Sequence, residues 1–299
     1  MNINIQPLTE SDDINLYREM TFLRFQGYLD ALQTNNNPVI AFKASGSNNE
    51  PIGLGLAYSA DDEALILSVF VDENHRNKGI GTLLFQKLEE TLFDRNHSKI
   101  FVQYQSDNPG IGAFEKILKK QGWTIPVVDK IIFEGDRNIM KAPWIHYPLS
   151  PDFSAFPWSD LTDTERSMIL YKQRKEQWYP EVLSPFQDEE IIEPLNSIGL
   201  RYKGEVAGWC INHRVAPDTI RYSFMFVRKD LQPLGWGILL LAESMRRHIK
   251  ASMTDKNLID CRSIWMVEKT NEPMIKFAEK YMRQWVSKVN EFMYSEKKI

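Results

Sequence analysis

Apolar and polar positions along this chain fall into short blocks that switch between a period of two and a period near 3.6. Ile3 to Leu8 alternates as a short strand ended by Pro7, and Thr9-Glu10-Ser11-Asp12-Asp13 supplies helix-capping side chains. Leu16, Met20, Leu23, Tyr28, Leu29 and Leu32 then recur at helical spacing up to the polar break Thr34-Asn35-Asn36-Asn37-Pro38. Val39 to Ala44 and Ile52 to Ser59 predict a hairpin turning at Gly46-Ser47-Asn48-Asn49. Ala64 to Val71 is almost wholly apolar, as for a strand covered on both faces, and Gly81 to Phe93 follows as a helix with Leu83, Leu84, Leu88 and Leu92 on one stripe. Ile100 to Tyr104 returns as a strand. After the turn Asp107-Asn108-Pro109-Gly110, Ala113 to Gln121 is helical with Gly122 as its C-cap, and strand-like Ile125 to Phe133 completes the first half.

Four prolines, Pro143, Pro148, Pro151 and Pro157, lie between Ala142 and Asp160 and predict a linker. Beyond it the order of elements repeats. A helix over Asp163 to Trp178 precedes a hairpin, Gly199 to Tyr202 and Val206 to His213, turning at Lys203-Gly204-Glu205. Ile220 to Val227 is a strand that runs into Gln232-Pro233-Leu234-Gly235-Trp236-Gly237 and a helix bearing Ile238, Leu241 and Met245; strand Ile264 to Val267 and helix Pro273 to Trp285 follow. Val71 stands five residues before Arg76, and Val227 five before Gln232, so the chain reads as a divergent tandem repeat with domains over 1–146 and 147–299.

Length and composition agree with two soluble cores: 299 residues, 43% apolar and 25% charged. The net charge of −4 divides into 14 basic against 19 acidic residues up to Leu149 and 22 against 21 after it. Neither half has the basic stripe of a nucleic-acid binder. Cys210 and Cys261 are the only cysteines and lack the spacing of a zinc or redox site, which suggests a reducing cytoplasm. Met1 to Glu10 has no signal-peptide character and no run approaches the ~20 apolar residues of a membrane span, so no membrane partner is expected.

A glycine-bearing turn between a buried strand and a helix aims several unpaired backbone N–H groups at one point, where they and the helix dipole favour an anion. Arg76-Asn77-Lys78-Gly79-Ile80-Gly81 has that form, with two cations beside it. The run resembles the acetyl-CoA-binding signature of the GCN5-related N-acetyltransferase (GNAT) superfamily, and Val71-Asp72-Glu73-Asn74-His75 ahead of it resembles the family's approach to the loop. Asn108 resembles its second cofactor-side motif. Gln232, Gly235 and Gly237 repeat the signature more weakly, and Asn271-Glu272-Pro273-Met274 resembles a segment of tandem members.

The resemblance implies an α/β (α+β) fold of two tandem domains, each a mixed, mostly antiparallel sheet flanked by helices. It implies acetyl-CoA as co-substrate with no metal, and a primary amine of a small molecule or peptide attacking the thioester directly in a ternary complex. Val69, Phe70 and Val71 would pair with the pantetheine arm, and Arg76, Asn77, Lys78, Gly79, Ile80, Gly81 and Thr82 would cradle the pyrophosphate, with Asn108 nearby. Val227, Gln232, Gly235 and Gly237 form a possible second loop, where Pro233 removes a donor and Trp236 adds bulk.

Glu63 is the candidate base. At the family's acid tyrosine the chain has Leu118, which makes Tyr104 the substitute; the second half has Ala278 at the comparable position and Tyr281 three residues on. Trp178, Tyr179 and Phe186, with Phe22, Phe25 and Tyr28, either line an acceptor site or belong to the cores. Three readings stay open: an acetyltransferase working through its first half, one working through its second, and a non-catalytic acyl-CoA-binding regulator. Monomer and homodimer are both compatible with the sequence.

Overall fold

The structure, a computed structural model, describes residues 3–32, 38–60, 62–95, 97–254 and 262–298. Cys261, Asp61 and most of the polar break after Leu32 lie outside the described residues. The chain divides into two compact units, residues 1–129 with 291–299 and residues 130–290. This division differs from the sequence-based boundary at 146/147.

In the first unit β1 (Asn4–Pro7), β2 (Val39–Ser45), β3 (Pro51–Ala60) and β4 (Glu63–Val71) pair antiparallel in order, and β4 pairs parallel with β5 (Lys99–Gln105). On the far side of β5 lies the C-terminal strand, antiparallel from Phe292↔Gln105 to Lys298↔Lys99. Apolar residues cover both faces. Helices Ile80–Phe93 and Ile111–Lys120 bury Ile80, Leu84, Phe85, Leu88, Leu92 and Leu118 on one side of the sheet. Leu83, expected on this stripe, is 44% exposed, because the helix spaces its buried positions four apart from Ile80. The other side is covered by Tyr17 and Leu29 from the segment before β2.

That segment is not the single helix its periodicity predicts. It breaks into 3-10 turns over Ile14–Met20 and Leu23–Phe25 and a short helix, α1, over Gln26–Ala31. Thr21 is extended at φ −141°, ψ 165°, and its hydroxyl bonds to Ser68 of β4 at 2.8 Å. A tertiary bond at a β-branched residue thus outweighs helical continuity. The two long helices of this unit are α2 (Ile80–Phe93) and α3 (Ile111–Lys120), and Gly122 at φ +76° ends the latter with Trp123 N–H donating to Leu118 O.

The strand after α3, β6 (Val127–Gly135), does not complete the first unit: from Lys130 on it belongs to the second and pairs with β11 (Arg262–Glu268). The second unit's sheet runs β6, β11, β10 (Thr219–Val227), β9 (Glu205–Ala216), β8 (Ile198–Tyr202) and β7 (Phe153–Pro157). Helices α4 (Asp163–Glu176), α5 (Trp236–Thr254) and α6 (Glu272–Tyr281) pack on it, and α4 starts at a capping box, Thr162 with Glu165. The final strand, β12 (Lys288–Lys298), leaves this unit at Glu291.

The proline-rich stretch is no linker. Trp144, Ile145, Phe153 and Phe156 are buried, Trp144 Nε1 donates to Tyr281 O at 2.7 Å, and β7 forms a sheet edge, where its one proline, Pro157, is tolerated.

Candidate acyl-CoA site

The parallel pairing of β4 with β5 covers only Glu63↔Lys99 to Ile66↔Val102. Past Ile66 the register against β3 slips, with Leu56 opposite Ser68 and Ala57 opposite Ile66, leaving Leu67 as a bulge. Residues 67–71 therefore pair with β3 alone, and their other side opens onto a gap beside β5. Val69, Phe70 and Val71 line this open stretch. The loop after Val71 is tightly organised: Asp72 accepts from Asn74 N–H at 3.0 Å and pairs with His75 Nδ1 at 2.9 Å, which pulls its carboxyl below the usual range, and Arg76 Nε donates to Val71 O at 3.1 Å. Lys78 Nζ bonds to Asn74 O at 2.9 Å.

Asn77 (φ 61°) and Gly79 (φ 82°) are both left-handed, and no side chain caps α2. Leu83 N–H is the first to turn back on the helix, to Gly79 O, so the N–H groups of Ile80, Gly81 and Thr82 lead out of it. A Cβ on Gly79 would meet nothing within 4 Å, whereas on Gly81 it would touch Val71 at 3.5 Å. The space in front of the loop is open. Helix α3 likewise starts uncapped from Gly110 at φ 91°, and half-buried Asn108 beside it makes no side-chain hydrogen bond to another described residue.

The second unit repeats this geometry. Parallel pairing of β10 with β11 stops at Arg221↔Ile264, and a bulge follows at Ser223, four residues before Val227 as Leu67 is four before Val71. Gln232 Nε2 clamps Val227 O at 2.7 Å just as Arg76 clamps Val71 O, and Gly235 (φ 79°) matches Gly79. Trp236 does not lie across the loop: its ring stacks on Phe153 at 3.9 Å. The stretch from Gln232 to Gly237 has no cation, however, and the N-terminus of α6 is already capped by Asn271, whose Oδ1 accepts from Met274 N–H.

Residues 7–118 match the model of the acetyltransferase (GNAT) family. The match lies wholly within the first unit. Across 99% of its length the chain also superposes on a tandem GNAT protein from the clavulanic acid biosynthesis pathway (98% of that chain, TM-score 0.63, 11% identity). A GCN5-related N-acetyltransferase from Sphaerobacter thermophilus gives similar values (96% of that chain, TM-score 0.63, 14% identity). A glucosamine N-acetyltransferase region of a fungal multi-domain β-N-acetylglucosaminidase also superposes on 99% of this chain, over 38% of that one (TM-score 0.64, 13% identity). At these identities the likeness establishes the tandem GNAT fold. No curated protein matches the sequence.

The loop after β4 and the turn bearing Asn108 after β5 follow the same ends of two parallel strands, whereas Glu63 starts β4 at the other end. Glu63 sits at the paired end of β4, in an ion pair with Lys99 at 2.7 Å, and eight residues of strand, roughly 26 Å, separate it from Val71. Tyr104 does reach the gap, two residues past the last parallel pair, but its hydroxyl donates to Glu115 Oε1 at 3.0 Å, and burial with that carboxylate raises its pKa strongly. A phenol held so far above a thiol's pKa is a poor proton donor to a thiolate. Leu118 is buried in the core, and so are Tyr179 and Ala278. Phe25, Tyr28, Trp178 and Phe186 pack against the cores, while Phe22 is 49% exposed beside Arg24.

Among the described residues no group of three or more His, Cys, Asp or Glu is placed to hold a metal, and no helix is long and apolar enough to cross a membrane.

Proposed function

We propose that this chain is an acetyl-CoA-dependent N-acetyltransferase whose first unit binds the cofactor through Arg76 to Gly81. The observation that carries the reading is the uncapped, left-handed start of α2 at Gly79, open to solvent and continuous with a strand whose β5 side is unpaired along Val69 to Val71. Backbone N–H groups there suit a pyrophosphate, the free edge of β4 suits an amide-bearing arm, and Asn108 with the uncapped α3 offers further donors. Arg76 and Lys78 add positive charge.

Acetyl-CoA supplies an activated thioester. The protein's own part is to hold the carbonyl against a backbone N–H at Val69 or Phe70 and to admit the amine from the opposite face, near Thr21 and Ser68. The acceptor is a primary amine of a small molecule or peptide. The leaving thiolate takes its proton from solvent. We assign the protein to the cytoplasm, where a free buried thiol such as Cys210, its pKa pushed up to about 12 by burial, is stable.

Calorimetric titration with acetyl-CoA tests the reading. A micromolar binding event that is lost in Gly79→Trp supports it; binding indifferent to that change overturns it.

A further inference from the structure

The two gaps differ most on the face away from the long helices that follow the loops. Register matches Leu67, Leu65 and Tyr58 of the first unit with Ser223, Arg221 and His213 of the second. In the first unit all three are apolar or aromatic and pack in the core beneath α1. In the second they form a polar chain. Ser223 Oγ lies 2.7 Å from His213 Nδ1 and accepts from Arg221 Nε at 2.9 Å. With the guanidinium as donor, the serine proton has two acceptors, the imidazole at 2.7 Å and Arg221 O at 3.4 Å, and the shorter contact makes Ser223 the donor to Nδ1.

His213 is completely buried, and besides Ser223 its ring meets the backbone of Asp188, a contact that favours an N–H on the ring. Ser223 itself is only half-buried, at the bulge two residues past the last β10–β11 pair, where β10 has parted from β11.

We propose that Ser223 and His213 form a proton relay that activates an amine acceptor at an acyl-thioester site in the second unit. The amine nitrogen bonds to the thioester carbon as the C–S bond breaks. Its proton passes to Ser223 Oγ while the serine proton passes to His213 Nδ1, the departing thiolate takes a proton from solvent, and His213 gives its proton back through Ser223 to solvent, which restores the relay. Arg221 orients the hydroxyl. Burial first, and the charge of Arg221 second, push the His213 pKa down, opposed by Asp188 and Glu190, so the ring is neutral at pH 7 and free to accept. The proposal rests on acyl transfer as the activity but not on the loop from Arg76 to Gly81.

Turnover is read as thiol release from acetyl-CoA across a panel of primary amines, with the full chain carrying Gly79→Trp so that the second unit is read apart from the first. Ser223→Ala and His213→Gln are each expected to lower kcat by about 10²-fold or more, with KM for acetyl-CoA little changed, and Ser223→Thr to recover most of the rate. The acidic limb of the pH–rate profile disappears in His213→Gln. Wild-type kcat in Ser223→Ala, or no amine-dependent turnover in the native protein, overturns the relay. Loss of the first unit's acetyl-CoA site in Gly79→Trp leaves these outcomes readable, because that change acts in the other unit. Should the variants unfold, nitrogen-15 spectra of the native protein decide: a neutral His213 protonated at Nε2 at pH 7 supports the relay, and an Nδ1–H tautomer or a cation overturns it.

Discussion

Lys297 near the chain terminus reaches back to Glu89 of α2 at 2.7 Å and to Gln121 O at 2.8 Å. The Glu89 side chain is 6% exposed, and its other partner is Trp123 Nε1 at 2.9 Å. Lys297→Met keeps the stem but leaves the carboxylate with one neutral donor. Stripping the partner from a fully buried charge costs about 3–5 kcal/mol. Because the Lys297 side chain is 27% exposed and water can reach the vacated place, we expect about 2–3 kcal/mol. At roughly 2–4 °C per kcal/mol for a unit of this size, its transition should fall by about 4–12 °C in a calorimetric scan. Glu89→Gln combined with Lys297→Met should recover at least half of that, since the neutral amide no longer needs a cation. A fall under 1 °C, or a double variant as unstable as the single one, would refute the reasoning that β12 is an integral strand of the first unit.

Gly53→Val should destabilise the first unit by about 2 kcal/mol or more, as its Cβ would lie 2.9 Å from Phe70 O and 3.1 Å from Leu84; thermal denaturation with unchanged stability would contradict the strand register. Tyr104→Phe should leave kcat within about threefold while lowering stability by about 1 kcal/mol, because the hydroxyl serves Glu115; a tenfold loss of kcat would restore it as the acid. His248, buried and held at about pKa 4 first by desolvation and then by Arg214, is neutral when folded. The unfolded chain therefore takes up this proton first on acidification, so its contribution is intact above pH 6.5 and is lost as pH falls toward 4, on the order of 3 kcal/mol. His248→Gln should flatten that part of the urea-denaturation profile; an unchanged slope would sink the assignment.

What the sequence revealed was what is local. The strand, loop and helix from Ala64 to Phe93 are contiguous, so periodicity and the two glycines found them together. Strand β12 escaped notice because Lys288 to Lys298 is dense in charge, and it is held by partners about 190 residues earlier in the chain, with fully buried Ser295 donating to Thr124 O. The same distance explains why β6 looked like the end of the first half. Phe153 to Pro157 looked like linker because edge strands tolerate proline. Glu63 seemed plausible as a base only because the sequence does not say which end of β4 splays. The Ser223, His213 and Arg221 cluster depends on a bulge and a hairpin register; its one visible signal was polar residues set into otherwise apolar strands.

The central claim is that the first unit binds acyl-CoA at the start of α2. Gly79 can be enlarged without striking the core, but at φ +82° a side chain costs about 1–2 kcal/mol and fills the open space before the N–H groups. Losing two charge-assisted bonds to a phosphate weakens binding by about 10²-fold or more. Calorimetric titration of acetyl-CoA into native protein and Gly79→Trp is thus the most direct measurement. The account predicts that a binding event of the native protein weakens by at least about 100-fold in the variant while both units still melt cooperatively; an unchanged isotherm would contradict it.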